Sequence, residues 1–378
     1  MDPTYSWHSG SSVVSSKWGL PVPLFADEGL ASFLLRLSFA YGLESIALGE
    51  ILWPKQRVWT TDTDRMEQSK LVVLSEVTGI ALALLNKTTL GFIESRISSR
   101  KPCHRLGIVT PWILPLGCKN RHREGGYSIC PQCLYEDSSP YLRIHWRLAW
   151  HTACSKHHCL LVDRCPLCSS SITPHLLSLN IKDIAHCSSC HHDLKTIVTE
   201  PCSQDALDLQ KLVDAFVSKG TGSFFGADLD SVGLFSYLSF LESFSRRAMR
   251  QNAISIRSVF DHLHINLPEI RDESKGLKFE KLSIEIRHTF FIGLMQFIRL
   301  SPDDLYDCLM HHGITRQSFV GDSKLVPPYI LSVVQKLPDN KRTLTNTPRN
   351  SGWKPTPKYL VQRKFKQLIN SFKKQKNE

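Results

Sequence analysis

The sequence predicts a mainly α-helical protein whose middle is a region rich in cysteine. Apolar residues recur at helical spacing before residue 100 and again after residue 203. Between these parts the periodicity is poor, and ten of the 12 cysteines lie within residues 100–200. The chain has 378 residues, of which 42% are hydrophobic. This length and composition predict two to three globular domains and exclude global disorder.

The first helix is predicted just after a flexible N-terminus rich in serine and glycine. Residues 26–28 supply polar residues for the start of the helix, and Gly42 can end it. The apolar residues of one helical face are Leu30, Phe33, Leu34, Leu37 and Tyr41.

A second helical pattern runs from Ser69 to Leu90. It indicates a helix, a turn at Thr78 and Gly79, and another helix. This order is compatible with a helix-turn-helix, although any small helical bundle would give the same pattern.

The cysteine-rich middle contains four short motifs in succession, each with two residues between its metal-ligand side chains. The eight predicted ligands are Cys130, Cys133, Cys154, His157, Cys165, Cys168, Cys187 and Cys190. Such a motif turns two side chains toward one ion, and two motifs complete a tetrahedron. Pairing adjacent motifs keeps both closed loops short and predicts two structural zinc ions, one in a Cys₃His site and one in a Cys₄ site; an interleaved pairing would require the two halves to cross. Seven thiolates and two Zn²⁺ would lower the formal charge from +11 to +8.

Other residues compete for the first site. Cys118 and His122 form a C-x-x-x-H pair, and either His158 or Cys159 is placed to replace His157. Four protein ligands leave no open position on zinc, so both sites are predicted to be structural.

The C-terminal part is again predicted to be helical. Its clearest helix start and stop signals lie between Ser301 and Phe319. Ser301 can cap a helix that begins with proline and two aspartates, and Gly313 can end it. Thr315 can cap a following helix that presents Arg316 and Gln317. This stretch is a second candidate helix-turn-helix.

The basic charge is concentrated at the C-terminus. Residues 341–378 carry eleven bases and one acid, and residues 100–168 have a weaker excess of six. Apolar residues of the tail lie at helical spacing, which predicts a basic amphipathic helix for nucleic acid or an acidic partner. The tail bases assigned to such contacts are Arg363, Lys364, Lys366, Lys373 and Lys374.

These observations divide the chain into five predicted segments. They are a flexible N-terminus (1–20), a helical helix-turn-helix domain (21–100), a tandem zinc-binding region (101–202), a helical domain with a second helix-turn-helix (203–340) and a basic amphipathic tail (341–378). The longest apolar stretch stops at Arg299 after ten residues, so no membrane span is predicted. The first residues lack an apolar signal core, which favours reduced cysteines and metal binding over disulfides. Motifs of zinc proteases, serine hydrolases and P-loop ATPases do not occur.

Several of these stretches together resemble the TniQ/TnsD family. In that family an aromatic-Arg-Trp segment precedes a C-x-x-H motif, a leucine pair and a C-x-x-C motif. The matching residues are Tyr141, Arg143, Trp146, Cys154, His157, Leu160, Leu161, Cys165 and Cys168. The segments PVPLFADEGLASFLLRLSFAYG and LSPDDLYDCLMHHGITRQSF, together with 69–90, resemble the opening helix and the two helix-turn-helix units of the family. One departure is His158, where the family often has glycine.

The resemblance implies a target-site selection adaptor of a heteromeric bacterial DNA transposon. Such adaptors do no bond chemistry and link a targeting device to an AAA+ ATPase regulator, which recruits the transposase. Shorter TniQ-like members often sit as head-to-tail homodimers on an RNA-guided CRISPR effector such as Cascade, and the length of 378 residues suits this branch. Longer TnsD-like members bind a fixed attachment site in DNA. A cytoplasmic location, at the nucleoid when engaged, follows from either role.

Two other hypotheses compete with the guide-RNA adaptor. A sequence-specific DNA binder would use Arg316 and Gln317 as base contacts, since both side chains suit bidentate readout. A zinc enzyme would need an open metal position or a carboxylate site that the sequence does not reveal.

Overall fold

A computed structural model describes most of the chain. The described residues are 18–98, 110–119, 122–124, 126–181, 183–225, 227–250, 252–269, 276–321, 326–339, 362 and 365, without the side chains of 60, 117–119, 122–124 and 174. The chain divides into two compact units, residues 1–339 and residues 340–378. Within the second unit only Gln362 and Phe365 are described, and both are helical.

The N-terminal part is helical, as the sequence predicts. Its helices are Leu30–Ala40 (α1), Ser45–Leu52 (α2), Gln68–Thr78 (α3), Leu82–Lys87 (α4) and Gly91–Ile97 (α5). Helix α1 is buried on nearly every side, including Leu30, Phe33, Leu34 and Leu37 of the predicted apolar face, whereas Tyr41 follows the helix and is half-buried. It begins four residues later than the polar triplet at 26–28 suggests, because Glu28 precedes the helix and accepts hydrogen bonds from Ser32 and Arg36.

The predicted turn between two helices is present at Gly79. This residue ends α3 with a φ of 74°, a left-handed conformation that favours glycine. Helix α4 follows after two residues. The predicted helices over 69–90 are thereby confirmed, while their classification as a helix-turn-helix stays a prediction.

The cysteine-rich middle has little regular structure within its described residues. Its elements are the strands Gly117–Lys119 (β1), His122–Glu124 (β2), Ala153–Cys154 (β3) and Cys159–Leu160 (β4), with the helix Pro131–Glu136 (α6). The strands form two antiparallel hairpins, β1 with β2 and β3 with β4. Isolated bridges such as Ile129 with Val162 join the loops between them.

The C-terminal part of the first unit is a helical assembly with one hairpin. Its elements are Gln204–Lys219 (α7), Thr221–Phe224 (β5), Ala227–Asp230 (β6), Ser231–Ala248 (α8), Ile254–His262 (α9), Ile284–Ile298 (α10), Pro302–His311 (α11), Arg316–Val320 (α12) and Leu331–Lys336 (α13). Helices α7 and α10 lie against each other, and both contact α8.

The predicted capping residues of α11 and α12 are confirmed. Ser301 accepts a hydrogen bond from the backbone of Asp304, whose carboxylate accepts one from the Ser301 backbone in return. Thr315 and Ser318 form the same reciprocal cap at α12. Gly313 lies between the two helices with a φ of 63°.

Two apolar cores hold the first unit together. One core combines α1 to α4 with the residues around the predicted metal ligands. The other combines α5 and the tryptophans Trp112 and Trp150 with the C-terminal helices. The fold is therefore mainly α-helical, with the middle region packed into both cores.

Within the described part of the chain, no single helix is long and apolar enough to cross a membrane. Helices α1 and α2 meet the length and composition criteria only as a pair that is bent by 99°.

Candidate metal centres

Four of the predicted ligands meet at one point, here called centre 1. Its residues are Cys130, Cys133, Cys154 and His157. Cys130 precedes α6 and Cys133 lies in the first turn of that helix. Cys154 ends β3, and His157 lies in the turn that joins β3 to β4. A helix start and a hairpin turn thus supply two ligands each.

The distances within centre 1 fit the edges of a zinc tetrahedron. Nδ1 of His157 lies 3.3 Å from Sγ of Cys130 and 3.4 Å from Sγ of Cys133. It lies 3.5 Å from Sγ of Cys154, and the sulfurs of Cys133 and Cys154 are 3.6 Å apart. Bonds of about 2.3 Å to sulfur and about 2.0–2.1 Å to nitrogen give tetrahedral edges of about 3.5–3.8 Å.

The remaining four predicted ligands form centre 2. Its residues are Cys165, Cys168, Cys187 and Cys190. The sulfurs of Cys165 and Cys190 are 3.6 Å apart, as are those of Cys168 and Cys187. Both distances again match a tetrahedral edge around zinc. Centre 2 lies nearer the surface, since Cys168 is exposed while Cys165 and Cys187 are buried.

Three of the four motifs share one backbone conformation. The residue after the second ligand has a positive φ at His158 (51°), Ser169 (58°) and His191 (61°). Its N–H donates to the carbonyl of the first ligand of the motif, at 2.8–2.9 Å in all three cases. The fourth motif makes the same bond from Leu134 but continues into α6. The left-handed position favours glycine, and here two histidines and a serine occupy it.

This conformation settles which histidine faces centre 1. His158 occupies the left-handed position, and His157 presents Nδ1 to the three cysteine sulfurs. Its other nitrogen, Nε2, lies 3.0 Å from a carboxylate oxygen of Glu136. Lys156 and His157 hold the pKa of Glu136 below its usual range. An ionised carboxylate behind a ligand histidine fixes its tautomer and orientation.

The other sequence alternatives do not complete either centre among the described side chains. Cys159 lies 3.8 Å from the sulfur of Cys130, but it is outside the group whose ligand atoms all lie within 4.8 Å of one another. Cys118 and His122 are on the β1–β2 hairpin, where side chains are not described, and Cys103 lies outside the described residues.

Both centres supply four protein ligands, so a bound tetrahedral ion would have no position left for water or a substrate. Closed sites of this kind stabilise folds, whereas catalytic zinc sites keep one position open. The chemistry that the two centres offer is therefore cross-linking of chain segments that are distant in sequence.

The aromatic-arginine segment ahead of Cys154 ties centre 1 to the start of α1. Tyr141 donates a hydrogen bond of 2.8 Å to Asp27, and Arg143 forms ion pairs with Asp27 and Asp137. The Arg143 guanidinium also lies over the ring of Trp146, at 4.9 Å from its centroid. Asp27 and the preceding loop are thereby fixed against the metal-binding region.

Sequence reasoning missed a buried ionic network centred on Arg147. Its guanidinium is fully buried and donates to both oxygens of Asp62, at 2.9 and 2.7 Å, and to Asp64. Asp64 also accepts hydrogen bonds from the backbone N–H of Ala31 at the start of α1 and from the hydroxyl of Tyr127. The partners are 83 and 85 residues apart in sequence, so no local pattern signals the network.

The structure gives Arg316 a role within the fold. Its guanidinium donates to the carbonyls of Val334 and Gln335 at the end of α13, at 3.1 and 2.9 Å, and pairs with Asp339. Positive charge at the C-terminal end of a helix is stabilising. The adjacent Gln317 is exposed. Base contact by either residue stays a prediction, and for Arg316 it would require these bonds to break.

The five tail bases assigned to nucleic-acid or partner contacts lie outside the described residues. They are Arg363, Lys364, Lys366, Lys373 and Lys374. Between them, Phe365 of the predicted apolar face is exposed.

Residues 20–161 match the family model described as TniQ. The matched segment contains α1 to α6 and all four residues of centre 1, and it ends before the first ligand of centre 2. Among curated proteins, none matches this sequence.

Proposed function

This chain is a TniQ family transposition protein by its domain at residues 20–161, and we propose that it is a target-site selection adaptor in DNA transposition. In this proposal it links an RNA-guided CRISPR effector of the Cascade type to an AAA+ ATPase regulator, which recruits the transposase. It acts as a homodimer and performs no bond chemistry. Its contact with target DNA is direct or passes through these partners.

The observation that carries this proposal is the family match, which includes the whole of centre 1. TniQ family proteins are non-enzymatic adaptors, and the closed geometry of both centres supports the same role here. We infer that the ion in each centre is zinc, because three or four thiolates in tetrahedral spacing select a borderline-soft ion. Two zinc ions then rigidify the surfaces that partners contact.

The state of Arg316 favours the adaptor over the alternative of a TnsD-like protein that reads a fixed attachment site. A bidentate base contact needs an available guanidinium, and this one is bonded to the end of α13. Helix α12 has only five residues, which leaves little length to insert into a major groove. These features suit a surface for protein or RNA backbone.

A co-expression experiment tests the proposal. The full chain is produced with the guide-RNA effector encoded beside it and separated by size exclusion in moderate salt, with zinc quantified in each fraction. We expect a dimer to co-elute with the effector at two tightly bound zinc ions per chain. Absence of co-elution, together with a discrete footprint of the free protein on one DNA site, would overturn the proposal.

Gln317→Ala provides a matched variant for the same experiment. The side chain is exposed, so the substitution leaves the fold intact. Under the adaptor proposal the variant co-elutes with the effector as the wild type does, and neither protein alone gives a footprint on DNA. Under direct readout, loss of one good base contact weakens specific DNA binding by about 1–3 kcal/mol.

A further inference from the structure

A third cluster of metal-ligand side chains lies outside both centres, in the C-terminal helices. It consists of His262, Cys308 and His312, whose ligand atoms all lie within 4.8 Å of one another. His262 is the last residue of α9, Cys308 lies in the last turns of α11, and His312 caps that helix. The cluster therefore joins the C-terminal ends of two helices.

The spacing along α11 suits chelation. Residues four apart on a helix lie one above the other on the same face, which places Cys308 and His312 side by side. The rings of His262 and His312 lie 5.1 Å apart between centroids, with an interplanar angle of 70°. Two segments of chain thus present three neutral or anionic ligands to one point.

One ring nitrogen of the cluster's residues lacks a hydrogen-bond partner. Nε2 of His312 is buried, and no described residue forms a hydrogen bond with it. Buried polar atoms are nearly always bonded to protein or water, so this nitrogen calls for a ligand. Cys308 is also buried, whereas the exposed His262 has room to rotate toward the other two.

The electrostatic environment favours a cation. The negative ends of the α9 and α11 dipoles both meet the cluster.

We propose that His262, Cys308 and His312 bind one divalent transition-metal ion, with zinc as the physiological ion. Tetrahedral zinc places two nitrogen ligands and one sulfur ligand about 3.3–3.6 Å apart, and the exposed side chain of His262 can rotate to bring its nitrogen to that distance. Three protein ligands leave the fourth position to water or an outside ligand. The ion clamps α9 to α11 directly before the turn at Gly313 that leads into α12.

Cobalt titration of the full chain tests the site, because tetrahedral thiolate-bound Co²⁺ absorbs in the near ultraviolet and the visible range. The protein is first given two equivalents of zinc per chain, which centres 1 and 2 bind ahead of the three-ligand cluster because each supplies four protein ligands. We expect one further equivalent of Co²⁺ to bind with both absorption bands and to be displaced by added zinc.

Variants of one residue each identify the ligands. His262→Ala removes an exposed ligand and is expected to weaken cobalt binding at least about tenfold. Cys308→Ser is expected to abolish the near-ultraviolet band. His311→Ala is the matched control, because its ring lies 4.9 Å from that of His312 but is outside the cluster, and it is expected to keep wild-type affinity.

The fold of each variant is checked by circular dichroism and by its zinc content, which should remain at two ions per chain. The proposal is overturned if the wild type binds no further cobalt, or if His311→Ala weakens binding as much as His262→Ala. Because the assay contains no transposition partner, its result is independent of the proposed adaptor function.

Discussion

Replacing Arg147 by alanine is expected to destabilise the first unit more than any other single loss of charge among its described residues. The guanidinium is fully buried and bonds to Asp62, Asp64 and the carbonyl of Leu114. Burial raises the pKa of Asp64 even with Arg147 beside it. Without the arginine, the buried carboxylate at the start of α1 loses its charge partner.

The magnitude follows from the burial of both partners. Removing one member of a buried ion pair costs about 3–5 kcal/mol, because the other charge stays desolvated and uncompensated. An exposed ion pair contributes only about 0.2–1 kcal/mol. Since a domain is stable by about 5–15 kcal/mol, Arg147→Ala removes a large part of the stability.

Urea denaturation followed by tryptophan fluorescence measures the effect, with zinc present throughout. Arg299→Ala serves as the control, because Arg299 is about half exposed and pairs with Asp205 at the surface. We expect a loss of about 3–5 kcal/mol for the first variant and at most about 1 kcal/mol for the second. A loss below about 1 kcal/mol for Arg147→Ala would refute the reasoning from burial.

Four further predictions follow from the same structure. Cys133→Ser should lose one tightly bound zinc ion and unfold the middle region, whereas Cys202→Ser should keep both ions by mass spectrometry; equal zinc contents would contradict centre 1. Burial lowers the pKa of His288 to about 4, against about 6.5 in the unfolded chain, so its stabilising effect is complete above pH 6.5 and declines as the pH falls. We expect about 1–2 kcal/mol to be lost by pH 5 and His288→Gln to remove that part of the decline, while an unchanged pH profile would disprove it. Ser301→Ala should cost about 1 kcal/mol in urea denaturation through loss of the α11 cap, and an unaltered midpoint would argue against the cap. Deleting residues 341–378 should weaken nucleic-acid binding and reduce its slope against salt concentration; an unchanged slope would exclude the tail from binding.

The metal centres could be predicted from the sequence because ligand spacing is a local property. Two residues between ligands fix the geometry of each motif, and pairing adjacent motifs keeps both closed loops short, which is the pairing that the structure has. The choice between His157 and His158 could not be made in this way. It depends on a left-handed backbone conformation at His158. A glycine at this position would have indicated that conformation in the sequence, whereas a histidine does not.

Helices with clear capping residues and terminal glycines were also predictable, because these signals act within a few residues of the helix ends. The capping box at Ser301 and the turns at Gly79 and Gly313 have the predicted form. Partners distant in sequence could not be found. In the sequence, Arg147 is one of several basic residues in a mildly basic stretch. Its contact with Asp62 forms only when the chain folds. In the same way, the bonds of Arg316 to the end of α13 could not be found from the sequence.

The most direct test of the central claim is whether this protein bridges the guide-RNA effector and the AAA+ regulator. The AAA+ regulator of the same transposon is immobilised and exposed to the guide-RNA effector with and without this protein. The adaptor account predicts that the effector is retained only when the zinc-loaded protein is added, at two chains per effector. Retention that does not depend on the protein, or no retention with it, would contradict the account.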